Sequence, residues 1–256
     1  MAFVNRLLQT WQRGQPTFGG WLSTSDVLVA QYLAAAGFDE ICVDQQHGSV
    51  DPASIGPVFA AIEAMGVAPT TRVASLDPAA IGKSLDMGAV GVIVPMINTR
   101  AEAAALVAAC RYPPAGTRSI GPTRAIFTIG LDLADLARVA AIAMIETAAG
   151  LANVDEIART PGLDALYIGP GDLAIGLGIP VVPADRSADE ARVLAEAVER
   201  IRVAAEQAGI VVGMYVGSGA ESRRLAARGF RMLTVAWDAG LLEDGGRAEL
   251  GIARGA

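Results

Sequence analysis

The chain of 256 residues contains one histidine and one lysine, His47 and Lys83, against nineteen arginines. Imidazole chemistry must use His47, and Schiff-base chemistry must use Lys83. His47 lies just past an apolar run, in Asp44-Gln45-Gln46-His47-Gly48. An imidazole that titrates near neutrality suits a general base there. Arg72 closes an uncharged run, APTTR. A guanidinium at that point suits a carboxylate or a developing enolate oxygen. It also suits an ion pair with Asp44 or Glu146. Glu146 ends AIAMIE, and Asp172 follows the next such run, in ALYIGPGD. Two carboxylates at equivalent places can hold a hard cation such as Mg2+ or Mn2+ and leave positions for water and substrate oxygens. The competing reading is a salt bridge to a neighbouring arginine. The wholly apolar run before Glu146 favours the cation, because an unpaired buried carboxylate is costly.

These residues need a scaffold that brings them together. Eight short apolar runs read as strands: 17–22, 40–45, 68–73, 91–96, 141–146, 165–170, 211–216 and 232–237. Most are rich in valine and isoleucine and bounded by glycine, proline or acidic residues. Helical spacing fills 24–36, 77–87, 99–109, 150–160, 188–208 and 219–228. Cap-type residues open the first, and Asp77-Pro78 open the second. This alternation predicts a single-domain α/β fold, a (β/α)8 TIM barrel spanning 1–256. Residues 1–14 read as an N-terminal helix. Residues 238–256 read as a C-terminal helical segment, and both are available for oligomer contacts. An open doubly wound sheet is the alternative, but no GxGxxG follows the first strand.

In such a barrel the active site lies at the C-terminal ends of the strands. That rim should carry Trp21, His47, Arg72, Glu146, Asp172, Tyr215 and Trp237-Asp238. The N–H groups of Gly171 and Asp172 open a helix and form a candidate carboxylate nest. Gly217-Ser218-Gly219 is either a phosphate turn or a plain helix cap. Lys83 falls in mid-helix, which argues against a lysine-dependent aldolase. No serine sits on a nucleophile elbow. Asp86, one turn after Lys83, can orient the imidazole or stand as a solvated helix carboxylate. Residues 110–130 form a long proline- and glycine-rich connection with three arginines, and 176–187 form a second such loop.

The net charge of −7 argues against a nucleic-acid partner. No run is apolar enough to predict a membrane span, and the N-terminus lacks a signal-peptide core. Two cysteines, Cys42 and Cys110, read as reduced core thiols and place the chain in the cytoplasm.

The strings VDQQHG, PTTRV, LDMGAVGVIVPM, RYPPAGTRSIGP, AMIET and YIGPGDLA, in this order and spacing, resemble the HpcH/HpaI class of metal-dependent aldolases from about residue 15 to 240. The resemblance implies a barrel assembled as a homo-hexamer, a dimer of trimers. It implies a divalent metal ion (Mg2+, Mn2+ or Co2+) on Glu146 and Asp172. His47 would be the base, Asp86 its activator, and Arg72 the enolate stabiliser. Gly171 and Asp172 would contact a 2-oxo acid, pyruvate or hydroxypyruvate. Arg124 would meet the far end of the aldehyde. The chain departs from the pattern at Gln46, where a glutamate is common, and at Met144, where a substrate-contacting glutamine can stand. A CoA-ester lyase of the citrate-lyase β type is the enzymatic rival, without a basic cluster for CoA. A non-catalytic oxo-acid-binding barrel is the other.

Overall fold

Each of the eight apolar runs forms a strand in the computed structural model, which describes residues 3–255. Residues 1, 2 and 256, at the tips of the two expected terminal segments, lie outside the described residues. The first half of the chain runs α1 (Arg6–Gln12), β1 (Thr17–Leu22), α2 (Val27–Ala35), β2 (Glu40–Asp44), α3 (Ile55–Ala64), β3 (Ala68–Arg72), α4 (Pro78–Asp86), β4 (Gly91–Val94) and α5 (Arg100–Cys110). It continues through α6 (Leu133–Leu136), β5 (Ala140–Ile145), α7 (Ala148–Ala152), α8 (Val154–Ala158), β6 (Ala165–Ile168) and α9 (Pro170–Gly176). It ends with α10 (Ala188–Ala208), β7 (Val211–Tyr215), α11 (Gly219–Ala227), β8 (Met232–Trp237) and α12 (Asp238–Arg254). The strands pair in sequence order, all parallel, and β8 closes back on β1.

Both faces of nearly every strand are buried, which is why the runs read as continuously apolar. Alternate residues enter different cores. Ile41, Val43, Val92, Ala141 and Ile145 pack outward under the helices. Cys42, Ile93, Ile142, Met144 and Tyr167 fill the barrel interior with Trp21. α1 closes the bottom of that interior with Leu7 and Trp11. Asn5 ties the helix down by donating to the carbonyls of Val90 and Arg138, both at 2.8 Å. The helices follow their sequence signals closely. Asp26 and Asp77 cap α2 and α4, and Ser187-Glu190 form a capping box on α10.

Three differences from the sequence reading have local causes. The helix α3 lies in a stretch apolar all round, where helical periodicity is hidden. The expected helix at 150–160 is two short ones, broken at Asn153, whose side chain is drawn to the carbonyl of Asn98 at 2.8 Å. The long connection after α5 holds a 3-10 turn at Ala125–Phe127 and the single turn α6.

Candidate active site

The strand ends open into a cavity of about 530 Å3. Trp21, His47, Arg72, Gly171 and Asp172 line it, as the sequence predicts for a barrel mouth. At its floor, β2 and β3 end in register, with Asp44 opposite Arg72. The pairing is bidentate: Nε donates to Oδ1 at 3.0 Å and Nη2 to Oδ2 at 2.6 Å. The ion-pair alternative for Arg72 is therefore real, yet it leaves Nη1 without a hydrogen bond among the described residues and the side chain on the cavity wall. Asp44 also accepts from Trp21 Nε1 at 3.2 Å and from the backbone N–H groups of Gln46 (3.0 Å) and His47 (3.3 Å). Burial would raise its pKa, but Arg72 and these donors outweigh burial and hold it below the usual carboxylate range. The Arg72 guanidinium carbon lies 5.0 Å from the centroid of Trp21, whose ring meets Tyr167 and Tyr215. One carboxylate thus fixes three neighbours: the arginine, the indole and the turn that carries His47.

Gly48 is required by that turn. A Cβ there would meet the Asp44 carbonyl oxygen at 2.3 Å and that of Ser23 at 2.8 Å. His47 itself is exposed at the rim, and its imidazole is held by no hydrogen bond among the described residues. Ser23, on the same wall, is anchored by Asp238, which accepts from its N–H at 3.0 Å and its hydroxyl at 2.6 Å.

Glu146 follows β5 and is almost fully buried, at 2% exposure. Its Oε1 accepts from the Met96 N–H at 2.7 Å, whereas its Oε2 is buried with no partner among the described residues. A side chain at Gly169 would fill the space beside that oxygen, since a Cβ would stand 2.6 Å from Oε2. Burial raises the Glu146 pKa, the Met96 N–H opposes this, and the charge of Asp172 raises it further. Two carboxylates that repel each other, one with an orphaned buried oxygen, are a donor set suited to a divalent cation. Among the described residues no third His, Cys, Asp or Glu joins them. A cation there would keep most positions for water and substrate. Met96, which donates to Glu146, has φ 59°, the left-handed region that non-glycine residues seldom enter.

Two expected residues stand elsewhere. Asp86 does not approach His47. Its Oδ1 accepts from Arg118 Nη2 at 2.9 Å, and it lines a separate cavity with Lys83. The pull is electrostatic, because Arg118 is buried and Asp86 is its carboxylate partner. Arg124 is also away from the mouth, donating to the Met87 carbonyl at 2.9 Å and paired with Glu63. Gly217-Ser218-Gly219 is a helix cap, with Ser218 accepting from the Glu221 N–H. Conversely, Asp44 and Arg186 belong to the cavity and were not picked out as site residues. Asp44 had a signal in its place at the end of an apolar strand. Arg186 arrives from an irregular loop and had none.

A parallel eight-stranded barrel with an arginine, a histidine and a carboxylate pair at the C-terminal ends of its strands defines a class, the (β/α)8-barrel enzymes. The comparisons narrow this. Residues 17–244 match the family model for HpcH/HpaI aldolase/citrate lyase, and the chain belongs to that family of carbon–carbon lyases. It is 40% identical over 254 residues to a hydroxypyruvate/pyruvate aldolase of Rhizorhabdus wittichii, covering 98% of this chain and 99% of that one. It is 35% identical to a 4-hydroxy-2-oxovalerate aldolase of Rhodococcus jostii, over 81% of both chains. A crystal structure of an HpcH/HpaI aldolase/citrate lyase family protein from Burkholderia cenocepacia superposes with a TM-score of 0.88 at 34% identity, covering 98% of this chain and 100% of that one.

Proposed function

We propose that this chain is a divalent-metal-dependent aldolase. It forms the enolate of pyruvate or hydroxypyruvate and joins it to an aldehyde, or releases it in the reverse direction. The observation that carries the reading is the unpartnered, buried Oε2 of Glu146, which faces the cradle at Gly169 in the neighbourhood of Asp172. These two carboxylates would hold Mg2+, Mn2+ or Co2+, which supplies Lewis-acid polarisation of the oxo-acid carbonyl when bound. The N–H groups of Gly171 and Asp172 bind the oxo-acid carboxylate. Arg72, locked in orientation by Asp44, presents Nη1 to the oxygen that gains charge as the enolate forms. His47 takes the proton from C3 and gives it to the alkoxide formed on addition to the aldehyde; in the cleavage direction it takes the hydroxyl proton and returns it to C3. Trp21 and Tyr215 form an apolar wall that keeps bulk water from the carbanion.

Removal of metal with a chelator should abolish aldol cleavage, and Mg2+, Mn2+ or Co2+ should restore it. Borohydride with pyruvate should leave the chain unlabelled, because Lys83 lines a different cavity from His47. A covalent adduct on Lys83 overturns the proposal.

The reading includes a homo-oligomer of the hexameric kind. Leu241, Leu242, Leu250 and Ile252 are exposed along α12, and Phe127 on the long connection is 85% exposed. Asp86 and Arg124, remote from the mouth of their own barrel, can serve catalysis only at a neighbour's. A reducing cytoplasm fits Cys42 and Cys110, both buried and free. No helix among the described residues is long and apolar enough to cross a membrane.

A further inference from the structure

We infer that Asn98 is a positioning residue for Glu146, because it holds Met96 in the left-handed conformation from which the Met96 N–H fixes that carboxylate. The inference rests on the metal-dependent reading above, since its measure is how well Glu146 is set to take a cation.

The turn from β4 into α5, residues 95–99, meets the end of β5 at three points. The Met96 N–H donates to Glu146 Oε1 at 2.7 Å. The Ile97 N–H donates to the Met144 carbonyl at 3.2 Å. Asn98 Oδ1 accepts from the hydroxyl of Thr147, the residue after Glu146. Contacts at 144, 146 and 147 thus bracket the carboxylate, and Glu146 Oε2 stays uncommitted among the described residues.

Met96 makes its contact with φ at 59°, where the Cβ of a non-glycine residue crowds the carbonyl that follows. Such a conformation persists only where the surroundings impose it. Packing of the Met96 side chain does little of this, since the residue is 50% exposed. The restraint comes from Asn98, whose Nδ2 donates to the Met96 carbonyl at 2.9 Å. Asn98 is itself engaged at every polar group. Its N–H donates to Glu102 Oε2, in the first turn of α5, at 2.7 Å. Its carbonyl accepts from Asn153 Nδ2 at 2.8 Å. Thr147, which holds Oδ1, also caps α7 by accepting from the Gly150 N–H at 2.9 Å. The side chain therefore ties one strained peptide to the starts of two helices. An amide does this because it offers a donor to Met96 and an acceptor to Thr147 at once.

Calorimetric titration of the metal-free chain with Mn2+ tests this without turnover. Asn98→Ala should weaken Mn2+ binding about threefold to tenfold, the worth of one ordinary hydrogen bond. The same substitution is then made in a Met96→Gly background, where the left-handed conformation carries no strain and the N–H to Glu146 is kept. There it should cost less than about twofold, because the two positions act through one element and their effects do not add. A variant that merely folds poorly lowers the number of binding sites and keeps the affinity of its folded fraction. Affinity unmoved by Asn98→Ala overturns the inference, as does a loss as large in the Met96→Gly background as in the natural one. A natural chain that binds no Mn2+ overturns instead the metal-dependent reading on which the inference rests.

Discussion

Glu40 opens β2 inside the barrel, and replacing it with glutamine should stabilise the protein at alkaline pH and hardly at all in acid. The side chain is completely buried. Its Oε2 accepts from the Thr70 hydroxyl at 2.7 Å, its Oε1 has no partner among the described residues, and Gly19 supplies the room it occupies. Burial lifts its pKa from 4.5 to about 7, only partly offset by the Thr70 hydrogen bond. The folded state therefore keeps its proton to higher pH than the unfolded chain does. Stability contributed by the neutral acid is complete below pH 4.5, declines as pH rises, and is lost above the folded value near 7. At about 1.4 kcal/mol per tenfold change in proton affinity, this displacement is worth about 3.5 kcal/mol. Glutamine keeps the size and the acceptor for Thr70 but does not ionise. Urea unfolding at one protein concentration should give equal stabilities for Glu40→Gln and the natural chain at pH 4. At pH 8.5 the variant should lead by about 3.5 kcal/mol, or a thermal midpoint about 7–14 °C higher for a domain of this size. Cys42 and Tyr167, which feel the Glu40 charge, have pKa values raised above their ordinary ones and stay protonated throughout this range, so the difference isolates Glu40. A lead of the same size at both pH values refutes the reasoning.

Other perturbations test the site directly. Arg72→Lys cannot reproduce the fork on Asp44 while also reaching the substrate. It should lower kcat about 10²- to 10³-fold, the loss typical of one oxyanion donor, with circular dichroism unchanged. Arg72→Ala leaves Asp44 buried and unpaired, and a urea titration should show about 3–5 kcal/mol of lost stability. Gly169→Ala places a methyl group 2.6 Å from Glu146 Oε2 and 2.5 Å from Met144 Cε, so calorimetry should show weaker Mn2+ binding. Met96→Gly removes the left-handed strain at φ 59°. It should be neutral or raise stability by up to about 1 kcal/mol in thermal melts, because the N–H that holds Glu146 is retained.

The barrel was legible because each strand is buried on both faces, so apolar runs such as GVIVP and AIAMI mark strands without alternation. The strand ends then located Trp21, His47, Arg72, Glu146 and Asp172, since β-barrel geometry converts sequence position into position on the rim. Residues outside that rule were less legible. Asp86 lies on a helix, and a helical carboxylate goes to the strongest nearby cation, here Arg118. Arg124 lies in a long connection, whose path depends on contacts such as Glu63 that no local pattern reveals. Arg186 enters the cavity from an irregular loop, held by two carbonyls of that loop. The orphaned oxygen of Glu146 is a property of packing around Gly169 and Met96, and sequence shows only that an acid ends the strand.

In the proposed reaction His47 removes a C3 proton from a 2-oxo acid held beside Glu146 and Asp172. Proton NMR of pyruvate in D2O with the Mn2+- or Mg2+-loaded enzyme measures this without any aldehyde, after the metal is stripped from quenched samples. The methyl signal should decay by exchange. The decay should stop on chelation and in Glu146→Gln, and slow by about 10²- to 10⁴-fold in His47→Gln. Exchange that continues at full rate in His47→Gln, or in the chelated enzyme, contradicts it.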